Sequence, residues 1–517
     1  MKQYLGVEFG STRIKAVLID EKGTVLSGGG YEWENTLVDG YWSYALAEVW
    51  RGLQTAYSAL NAMYAEKFGA PLDTLDGIGI SAMMHGYLAF DAQYNQLVPF
   101  RTWRNTRSAQ AADELSRELD VTMPQRWCAA HYYQAVLNGE SHVRNVAHLH
   151  TLSSYVHYML TGSNVVGMGD ASGMFPLADG DYDRARMEKY DRLLARHGVR
   201  KDMYALLPSV LLAGENAGAL TAAGARLLDV SGRLQAGIPF CPPEGDMGTG
   251  MIATNSVRAR TANVSSGTSV NLTVILERPL KNRYREIDEI ATPDGSPAAL
   301  VHANNCTNEI NAWVRLFAEV AELCGAKADR SALFTKLFEK SRESGDDCGK
   351  LVGYNFLAGE PLAGTETGAP LVLRAPDGKL DLADFMQMQI YSAVSVLALG
   401  MDILYGEGVG IDSVTAHGGF YKTEFVGQNA TAAVLNAPVT VMKNASEGGA
   451  WGIALLALYA GQKKGTLAEF LDTVFRNTEK VTVTASAAEM RKCAAYLARY
   501  KQNLPAAQAA ARSVTDR

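Results

Sequence analysis

Two segments of similar pattern, separated by roughly half the length of the chain, constrain the fold more than any other feature of this sequence. In residues 4–20, apolar residues surround Gly10-Ser11-Thr12, and in residues 260–276 they surround Gly267-Thr268-Ser269. Each pattern is that of two strands joined by a small polar turn. Any hairpin can have such a turn, but its recurrence predicts two similar domains. Because these turns offer N–H and hydroxyl groups, we expect them to hold the phosphates of a nucleotide.

Length and composition limit the classes of protein to consider. A chain of 517 residues is too long for one ordinary core, so two or three domains are expected. The hydrophobic content of 47% is that of a globular protein, and the net charge of -7 argues against a nucleic-acid partner. The first residues run directly into a strand pattern without a signal peptide, and we expect a cytoplasmic protein that binds no membrane.

Cysteine and histidine spacing argues against a disulfide framework or a metal centre built from these residues. The six cysteines form no C-x-x-C pair, which predicts reduced thiols. His148 and His150 fall in a stretch, residues 146–160, whose pattern favours a helix. Residues two apart on a helix lie on different faces, so this pair is not expected to bind a metal.

Asp246 is the candidate catalytic residue. It lies in Pro-Pro-Glu-Gly-Asp-Met-Gly-Thr-Gly-Met, residues 242–251, which is rich enough in glycine to predict a loop with positive φ angles rather than a helix or strand. Such a loop either presents its carboxylate to a ligand or lets the aspartate stabilise its own turn. The segment alone leaves both interpretations open.

Two polar clusters follow predicted strands and suit a polyhydroxylated ligand. Met84-His85-Gly86 comes after a buried strand, and a predicted hairpin of residues 87–91 with 97–100 leads into Trp103-Arg104-Asn105. Guanidinium and amide groups can fix several hydroxyls, while an indole covers an apolar sugar face. His85 could equally be a core histidine, and the arginine-rich cluster a solvated corner.

Two glycine-rich segments near the C-terminus predict nucleotide contacts. Gly418 and Gly419 follow a strand and precede Lys422, a pattern that can hold anionic groups at a helix start. Glu447 and Gly449 open a helix of small residues, which permits close approach of a flat ring or, equally, tight helix packing. The tail is expected to form a surface helix to about Tyr500 and a frayed end after Pro505.

Taken in order, these segments resemble the FGGY family of carbohydrate kinases, and within it the xylulokinase-like branch. The resemblance implies an α/β fold of two actin-like or ribonuclease-H-like ATPase domains with a nucleotide and sugar cleft between them. It further implies an N-terminal domain over 1–255, a C-terminal domain over 256–480, and a helical tail over 481–517. Glu8 stands where the first phosphate motif of the family usually has aspartate, and Trp103-Arg104-Asn105 where xylulokinases usually have Trp-Asn-Asp.

The resemblance implies transfer of the γ-phosphate of Mg-ATP to a terminal hydroxyl of a small ketose such as xylulose or ribulose. Asp246 would be the general base and Glu8 the residue that orients Mg²⁺, while Lys15 is either a phosphate contact or a solvated strand charge. The family also suggests a homodimer. The alternatives are a kinase of another polyol, hexulose or aldonate, an actin-like or Hsp70-like switch ATPase without sugar chemistry, and a sugar sensor without catalytic activity. The implied site residues are Met84, His85, Trp103, Arg104, Asn105 and Asp246 for the sugar, and Gly10, Ser11, Thr12, Lys15, Gly267, Thr268, Ser269, Gly418, Gly419, Lys422, Glu447 and Gly449 for the nucleotide.

Overall fold

A computed structural model describes residues 2–327, 329–442, 448–462 and 464–515. The chain divides into two compact units. Unit 1 comprises Met1–Val257, Glu289–Pro297 and Ser446–Asn477, and unit 2 comprises Arg258–Asp288, Ala298–Ala445 and Thr478–Arg517. Unit 1 thus includes two segments that follow residue 257 in the sequence, whereas each predicted domain is one continuous range. The predicted domain boundaries stay a prediction.

The strands run in chain order as follows: β1 Gln3–Phe9, β2 Arg13–Asp20, β3 Val25–Glu32, β4 Thr36–Val38, β5 Tyr41–Ser43, β6 Gly77–Ala82, β7 Leu88–Phe90, β8 His148–His150, β9 Val165–Gly167, β10 Leu177–Ala178, β11 Asp181–Tyr182, β12 Ser209–Leu211, β13 Glu244–Gly245, β14 Thr261–Ser266, β15 Val270–Ile275, β16 Ile287–Ala291, β17 Pro297–Ala303, β18 Leu351–Tyr354, β19 Leu371–Arg374, β20 Ser413–His417, β21 Val439–Met442 and β22 Lys480–Val483.

The α-helices are α1 Leu46–Phe68, α2 Ala109–Leu119, α3 Cys128–Leu137, α4 Leu152–Thr161, α5 Met168–Ala171, α6 Arg184–Arg196, α7 Met203–Leu206, α8 Ala222–Leu228, α9 Asp246–Ala253, α10 Asn308–Leu323, α11 Arg330–Lys340, α12 Leu382–Gly406, α13 Val426–Leu435, α14 Gly448–Gln462, α15 Leu467–Phe475 and α16 Ala487–Thr515.

Unit 1 is built around a five-stranded sheet in the order β13-β6-β1-β2-β3. β1 pairs antiparallel with β2, which confirms the first predicted hairpin, and parallel with β6. The turn Gly10-Ser11-Thr12 therefore lies at the carboxyl end of β1. The short strand β13 lies parallel to the end of β6, so Asp246, the next residue, emerges at the same edge of the sheet.

Helix α14 packs against β1, β6 and α9 at very short distances. A Cβ added at Gly6 would lie 2.0 Å from the carbonyl oxygen of Ala450, and one added at Gly452 would lie 2.2 Å from that of Thr249. Heavy atoms cannot approach so closely, so these two positions require glycine. The small residues that begin this helix therefore serve close packing against the sheet and α9.

Unit 2 repeats the strand pattern of unit 1. Its seven-stranded sheet has the order β16-β17-β15-β14-β20-β21-β22. β14 pairs antiparallel with β15 and parallel with β20, just as β1 pairs with β2 and β6. This repetition confirms the prediction of two similar α/β domains.

The helix α12 forms the centre of the unit 2 core. By length and composition it is the single helix among the described residues that could cross a membrane, but 78% of its most apolar window is buried inside the unit. Met386, Ile390, Val394 and Leu397 along it are fully buried in the same hydrophobic cluster as strands β14 and β15. It is therefore a core helix, and its apolar character reflects packing on several sides.

The prediction of a loop at residues 242–251 is wrong. The structure has the strand β13 and then the helix α9, with Asp246 as its first residue. None of Gly245, Gly248 and Gly250 has a positive φ. Gly245 instead makes room for Met84, because a Cβ there would lie 2.1 Å from the Met84 Cγ. The glycines serve packing at this point rather than a special backbone conformation.

Two further local predictions differ from the structure. His148 and His150 lie in strand β8, not in a helix, and β8 rather than residues 97–100 supplies the main partner of β7. The bridges of residues 87–90 to 96–101 are isolated. Among the described residues no cluster of three or more His, Cys, Asp or Glu could hold a metal, and all six cysteines are free thiols.

The C-terminal helix α16 continues through Pro505 to Thr515 instead of ending near Tyr500. Proline removes one helical N–H and disfavours this continuation. Side-chain contacts in unit 2 stabilise the second half of the helix: Gln508 Nε2 donates to the Ala363 carbonyl at 2.9 Å, and Thr367 Oγ1 donates to the Ala511 carbonyl at 2.9 Å. Tertiary contacts therefore override the local signal.

The close packing of α14 gives a stability prediction. Gly452→Ala should lower the thermal unfolding midpoint by about 5 °C or more, because the added methyl group pushes α14 away from α9. Gly250→Ala is the matched control, since it also lies in a helix of unit 1 and its Cβ would meet no described atom within 4 Å. Equal midpoints for the two variants, measured by circular dichroism, would contradict the packing argument.

Candidate active site

Asp246 begins helix α9 in unit 1, at the edge of the sheet where β6 and β13 end. The Met84 backbone N–H donates to its Oδ1 at 3.1 Å. The start of a helix is a favourable place for a carboxylate, because the free N–H groups and the helix dipole carry positive partial charge there. The carboxylate is thus oriented by backbone groups and remains half-buried, with access to a ligand.

Glu8 lies near the end of β1, against the first turn of α14. A Cβ added at Gly449 would lie 2.3 Å from Glu8 Oε1 and 2.7 Å from Thr249 Oγ1. Gly449 therefore makes room for the carboxylate and is required at this position. Lys15 is the residue opposite Glu8 on the neighbouring strand β2, so the hairpin brings a positive charge to the same region.

The electrostatics of this region are those of a crowded pair of acids. Burial, and then the negative charge of Asp246, raise the pKa of Glu8 to about 7, although Lys15 and the Ala450 N–H act in the opposite direction. Burial raises the pKa of Asp246 to about 6. Two nearby carboxylates with raised pKa values favour binding of a proton or a cation between them.

A second pair of buried acids lies behind Asp246, and sequence reasoning missed it. The Glu244 carboxylate accepts the N–H groups of Gly169 and Asp170 at 3.2 and 3.0 Å. The Asp170 carboxylate accepts the hydroxyls of Thr151, at 2.6 Å, and Ser153. Burial raises the pKa of Glu244 to about 8 and that of Asp170 to about 7. The available signal in the sequence is the spacing of Gly167, Gly169 and Gly173 around Asp170, which is also the ordinary pattern of a turn.

Met84 and His85 follow β6 at the same edge of the sheet. His85 is buried and has a positive φ of 71°, which is unusual for a residue with a side chain. Its Nδ1 lies 3.4 Å from the carbonyl oxygen of Gly173. The next residue, Gly86, donates its N–H to the Arg126 carbonyl at 3.0 Å. The turn is therefore held in a strained conformation beside the residue that binds Asp246.

The predicted sugar cluster separates into residues with different environments. Asn105 is buried, and its amide binds both the N–H and the carbonyl of Trp42, at 2.8 and 2.9 Å. Arg104 stacks over the Trp42 ring at 4.0 Å and donates to Asn35 Oδ1 at 2.9 Å. Trp103 is exposed, and its Nε1 donates to Ser11 Oγ at 3.2 Å. Asn105 thus anchors this loop, while Trp103 links it to the first polar turn.

The first polar turn is held from behind by aromatic side chains. Gly10 donates its N–H to the Arg13 carbonyl at 3.0 Å and accepts Trp33 Nε1 at 2.7 Å. The Ser11 carbonyl accepts the Tyr44 hydroxyl at 2.6 Å. These bonds fix the backbone of the turn, while Thr12 is exposed and Ser11 half-buried.

The second polar turn lies in unit 2 between β14 and β15. Gly267 donates its N–H to the Ser269 carbonyl at 2.9 Å, and both Gly267 and Thr268 are exposed. Gly418 passes close to it: its φ is 112°, and an added Cβ would lie 2.1 Å from the Ser266 carbonyl oxygen. Only glycine fits there, so the Gly418-Gly419 segment lies beside the turn.

The remaining residues predicted to contact the nucleotide are Lys422, Gly449 and Glu447. Lys422 is exposed after the short 3-10 turn Gly419–Tyr421. Gly449 belongs to unit 1, where it contacts Glu8 as described above. Glu447 lies outside the described residues. Within unit 1 the structure brings Glu8, Asp246 and Gly449 together and joins Trp103 to Ser11; within unit 2 it brings Gly418 beside the second turn.

Each unit has a β-hairpin with a polar turn and a parallel strand beside it, and unit 1 adds an oriented carboxylate at a helix start; the class is that of an α/β protein of two similar domains, each with a candidate phosphate-binding turn. The N-terminal domain model of the FGGY family of carbohydrate kinases matches residues 3–253, and the C-terminal domain model matches residues 262–461. The chain therefore belongs to the FGGY family of carbohydrate kinases, an assignment that confirms the resemblance, the fold class and the enzyme class.

Individual relatives agree with this assignment. The chain is 24% identical to a xylulose kinase of Haemophilus influenzae over 492 residues, which cover 91% of this chain and 93% of the relative. Its fold is similar to the crystal structure of a xylulose kinase from Rhodospirillum rubrum, with a TM-score of 0.80, 16% identity, and coverage of 98% and 99% of the two chains. A gluconate kinase from Lactobacillus acidophilus is equally similar, with a TM-score of 0.80, 16% identity and 98% coverage of both chains.

The raised pKa values predict how two variants change stability with pH. The ordinary values are 3.8 for Asp246 and 4.5 for Glu8, so the folded protein binds both protons more tightly than the unfolded chain. The stabilisation from these protons is complete below pH about 4 and is lost as the pH rises through about 6 and 7. Asp246→Asn and Glu8→Gln should therefore raise the thermal unfolding midpoint at pH 8, and by less at pH 5.

An exposed acid whose pKa is lowered rather than raised, Asp91, provides the control for this pH measurement. Asp91 accepts three hydrogen bonds from Gln93 and Asn95, and those from Asn95 contribute most to lowering its pKa. Asp91→Asn should not raise the midpoint at pH 8. If Asp246→Asn and Glu8→Gln lowered the midpoint at pH 8, the proposed crowding of the two acids would be wrong.

Proposed function

We propose that this carbohydrate kinase transfers the γ-phosphate of Mg-ATP to a terminal hydroxyl of a small ketose, a pentulose of the xylulose or ribulose type, with Asp246 as the general base. The observation that carries the proposal is the Asp246 carboxylate at the start of α9, which accepts the Met84 N–H and acts electrostatically on the half-buried Glu8. The name of the Haemophilus relative supports the pentulose.

Asp246 suits the role of a base in phosphoryl transfer. A carboxylate can orient the attacking hydroxyl by accepting its hydrogen bond and then take its proton late in the reaction. A pKa of about 6 leaves the group largely ionised at neutral pH while making it a better base than an ordinary aspartate. The Met84 N–H keeps one carboxylate oxygen fixed, so the other can bind the substrate.

Glu8 fits the requirements of Mg²⁺. This ion uses one or two protein carboxylates together with phosphate oxygens and water, and the raised pKa of Glu8 indicates a carboxylate that lacks sufficient positive charge around it. Mg²⁺, when bound, would neutralise phosphate charge. Glu8 would orient its hydration shell, while Lys15 across the hairpin would limit the excess negative charge.

The two polar turns fit the phosphate groups of ATP. Gly10, Ser11 and Thr12 in unit 1, and Gly267, Thr268 and Ser269 in unit 2, have backbones fixed from behind and polar groups at the surface. Gly418, Gly419 and Lys422 would contact the nucleotide beside the second turn, and Gly449 would leave room at Glu8. Glu447 is kept as a proposed contact from the family resemblance.

The acceptor sugar would contact Met84, His85, Trp103 and Arg104. Asn105 would act by anchoring the loop that carries Trp103 and Arg104. Trp103 offers an exposed indole face, and Arg104 is a cation at the place where the xylulokinase pattern has an amide. A fixed cation would also suit the carboxylate of an aldonate, which makes that class the second candidate for the acceptor. A cytoplasmic location and a homodimer are further proposals supported by the family resemblance.

A substrate panel tests the proposal. In a coupled ADP-release assay with Mg-ATP, a pentulose should support the highest kcat/KM among pentuloses, hexuloses, polyols and aldonates. Preference for an aldonate would replace the proposed substrate but keep the reaction. A protein that phosphorylates no member of the panel would contradict the proposal.

Replacement of the base tests the mechanism. Asp246→Asn keeps the shape and the hydrogen bond from Met84 but cannot accept a proton, so kcat should fall by about 1,000-fold. Binding of ADP, measured by calorimetry, should change little. Asp170→Asn, in the buried pair behind Asp246, is the comparison and should retain most of the activity. Retention of normal kcat by Asp246→Asn would exclude it as the base.

A further inference from the structure

The second polar turn depends on a group of buried side chains that does not contact it directly. The turn itself is held by the residues that follow β17: the Cys306 N–H donates to the Thr268 carbonyl at 2.9 Å. Thr307 donates both its hydroxyl, at 2.6 Å, and its N–H, at 3.2 Å, to the Gly267 carbonyl. The position of residues 304–307 therefore decides the position of the turn.

Residues 304–307 are held in turn by a segment after β18. Glu360 Oε2 accepts the Asn304 N–H at 2.9 Å and the Asn305 Nδ2 at 3.0 Å. Asn304 Nδ2 donates to the Gly359 carbonyl at 2.7 Å, and Asn355 Nδ2 donates to the Cys306 carbonyl at 2.8 Å. We call Asn304, Asn305, Asn355 and Glu360 the Glu360 brace.

Asn305 strengthens the brace because its side chain binds both the N–H and the carbonyl of Ala358. The Ala358 N–H donates to Asn305 Oδ1 at 2.9 Å, and Asn305 Nδ2 donates to the Ala358 carbonyl at 3.1 Å. Such paired bonds fix both distance and orientation. The brace therefore transmits the position of residues 358–360 to the turn through one continuous set of hydrogen bonds.

The brace is costly for stability. Glu360 has no exposed surface, and its Oε1 has no hydrogen-bond partner among the described residues. Burial raises the pKa of Glu360 to about 7. A buried acid with one unpaired oxygen is less favourable than an apolar side chain of similar size, so its presence indicates a positional role rather than stabilisation.

We propose that Glu360 is a positioning residue that holds the Gly267–Ser269 turn in the geometry that binds nucleotide phosphates, acting through Asn304, Asn305 and residues 306–307. This inference rests on the proposed function in one respect, because it takes that turn to be a phosphate contact. It concerns nucleotide affinity and is independent of the acceptor sugar.

Calorimetric titration with ADP tests the inference without requiring an acceptor. Glu360→Ala removes the acceptor of two donors, and its Kd for ADP should rise by about 10-fold. Glu360→Gln keeps an oxygen for both donors and replaces the unpaired oxygen by an amide, so it should restore the Kd to within about twofold of the natural protein. Asn304→Ala loses the side-chain bonds to the Gly359 carbonyl and to His302 Nε2 but keeps the backbone bond to Glu360, so it should weaken ADP binding in the same direction to a smaller extent.

Glu407→Ala provides the matched control. Glu407 is another buried glutamate of unit 2 that holds a loop, accepting bonds from Lys281 N–H at 2.9 Å and from the Tyr284 hydroxyl at 2.6 Å. These bonds hold residues 281–284 and do not include the Gly267–Ser269 turn. Its loss should lower the thermal unfolding midpoint but leave the Kd for ADP unchanged.

The inference is overturned if folded Glu360→Ala or, where that variant does not fold, Asn304→Ala binds ADP as tightly as the natural protein. It is also overturned if Glu407→Ala weakens binding to the same extent, because the effect would then reflect general destabilisation. Natural protein that binds ADP but phosphorylates no acceptor would contradict the proposed function alone. Natural protein that does not bind ADP would contradict both.

Discussion

The close contact of α14 with β1 and α9 is the constraint on which the unit 1 site depends. Glycine at 6 and 452 allows the backbones to approach, and glycine at 449 leaves space for the Glu8 carboxylate. Without these glycines, Glu8 could not occupy its place between the first strand and the start of α14. The small residues of this helix therefore serve both the packing of the unit and the placement of a functional carboxylate.

The buried carboxylates of unit 1 lower the stability of the folded protein at neutral pH. Glu8, Asp246, Asp170 and Glu244 all have raised pKa values because burial opposes their charged forms. Such groups are expected at functional sites, where a protein retains an unfavourable charge for its reactivity, as we propose for Asp246 and Glu8. Backbone N–H groups from Met84, Gly169 and Asp170 offset part of the cost. Unit 2 follows the same principle at Glu360, where a buried acid holds a turn rather than reacting.

The sequence predicted the features that depend on local pattern. The two hairpins, the buried strand β6 and the identity of Asp246 as the residue to examine follow from strand periodicity and glycine spacing. The helix α9 could not be predicted, because three glycines within and just before it indicate a loop unless tertiary packing is known. The helix α16 continues through Pro505, and His148 lies in a strand. In both cases partners distant in sequence decide the local structure. The acid pair of Asp170 and Glu244 depends entirely on such partners.

The central claim is that Asp246, beside Glu8, accepts the proton of the acceptor hydroxyl. The most direct measurement is the pH dependence of kcat/KM for the acceptor at saturating Mg-ATP, which reports the ionisation of Asp246 before the acceptor binds. We expect kcat/KM to fall below pH about 6, as Asp246 becomes protonated. A profile that stays flat down to pH 5, or the same fall in the residual activity of Asp246→Asn, would contradict the account.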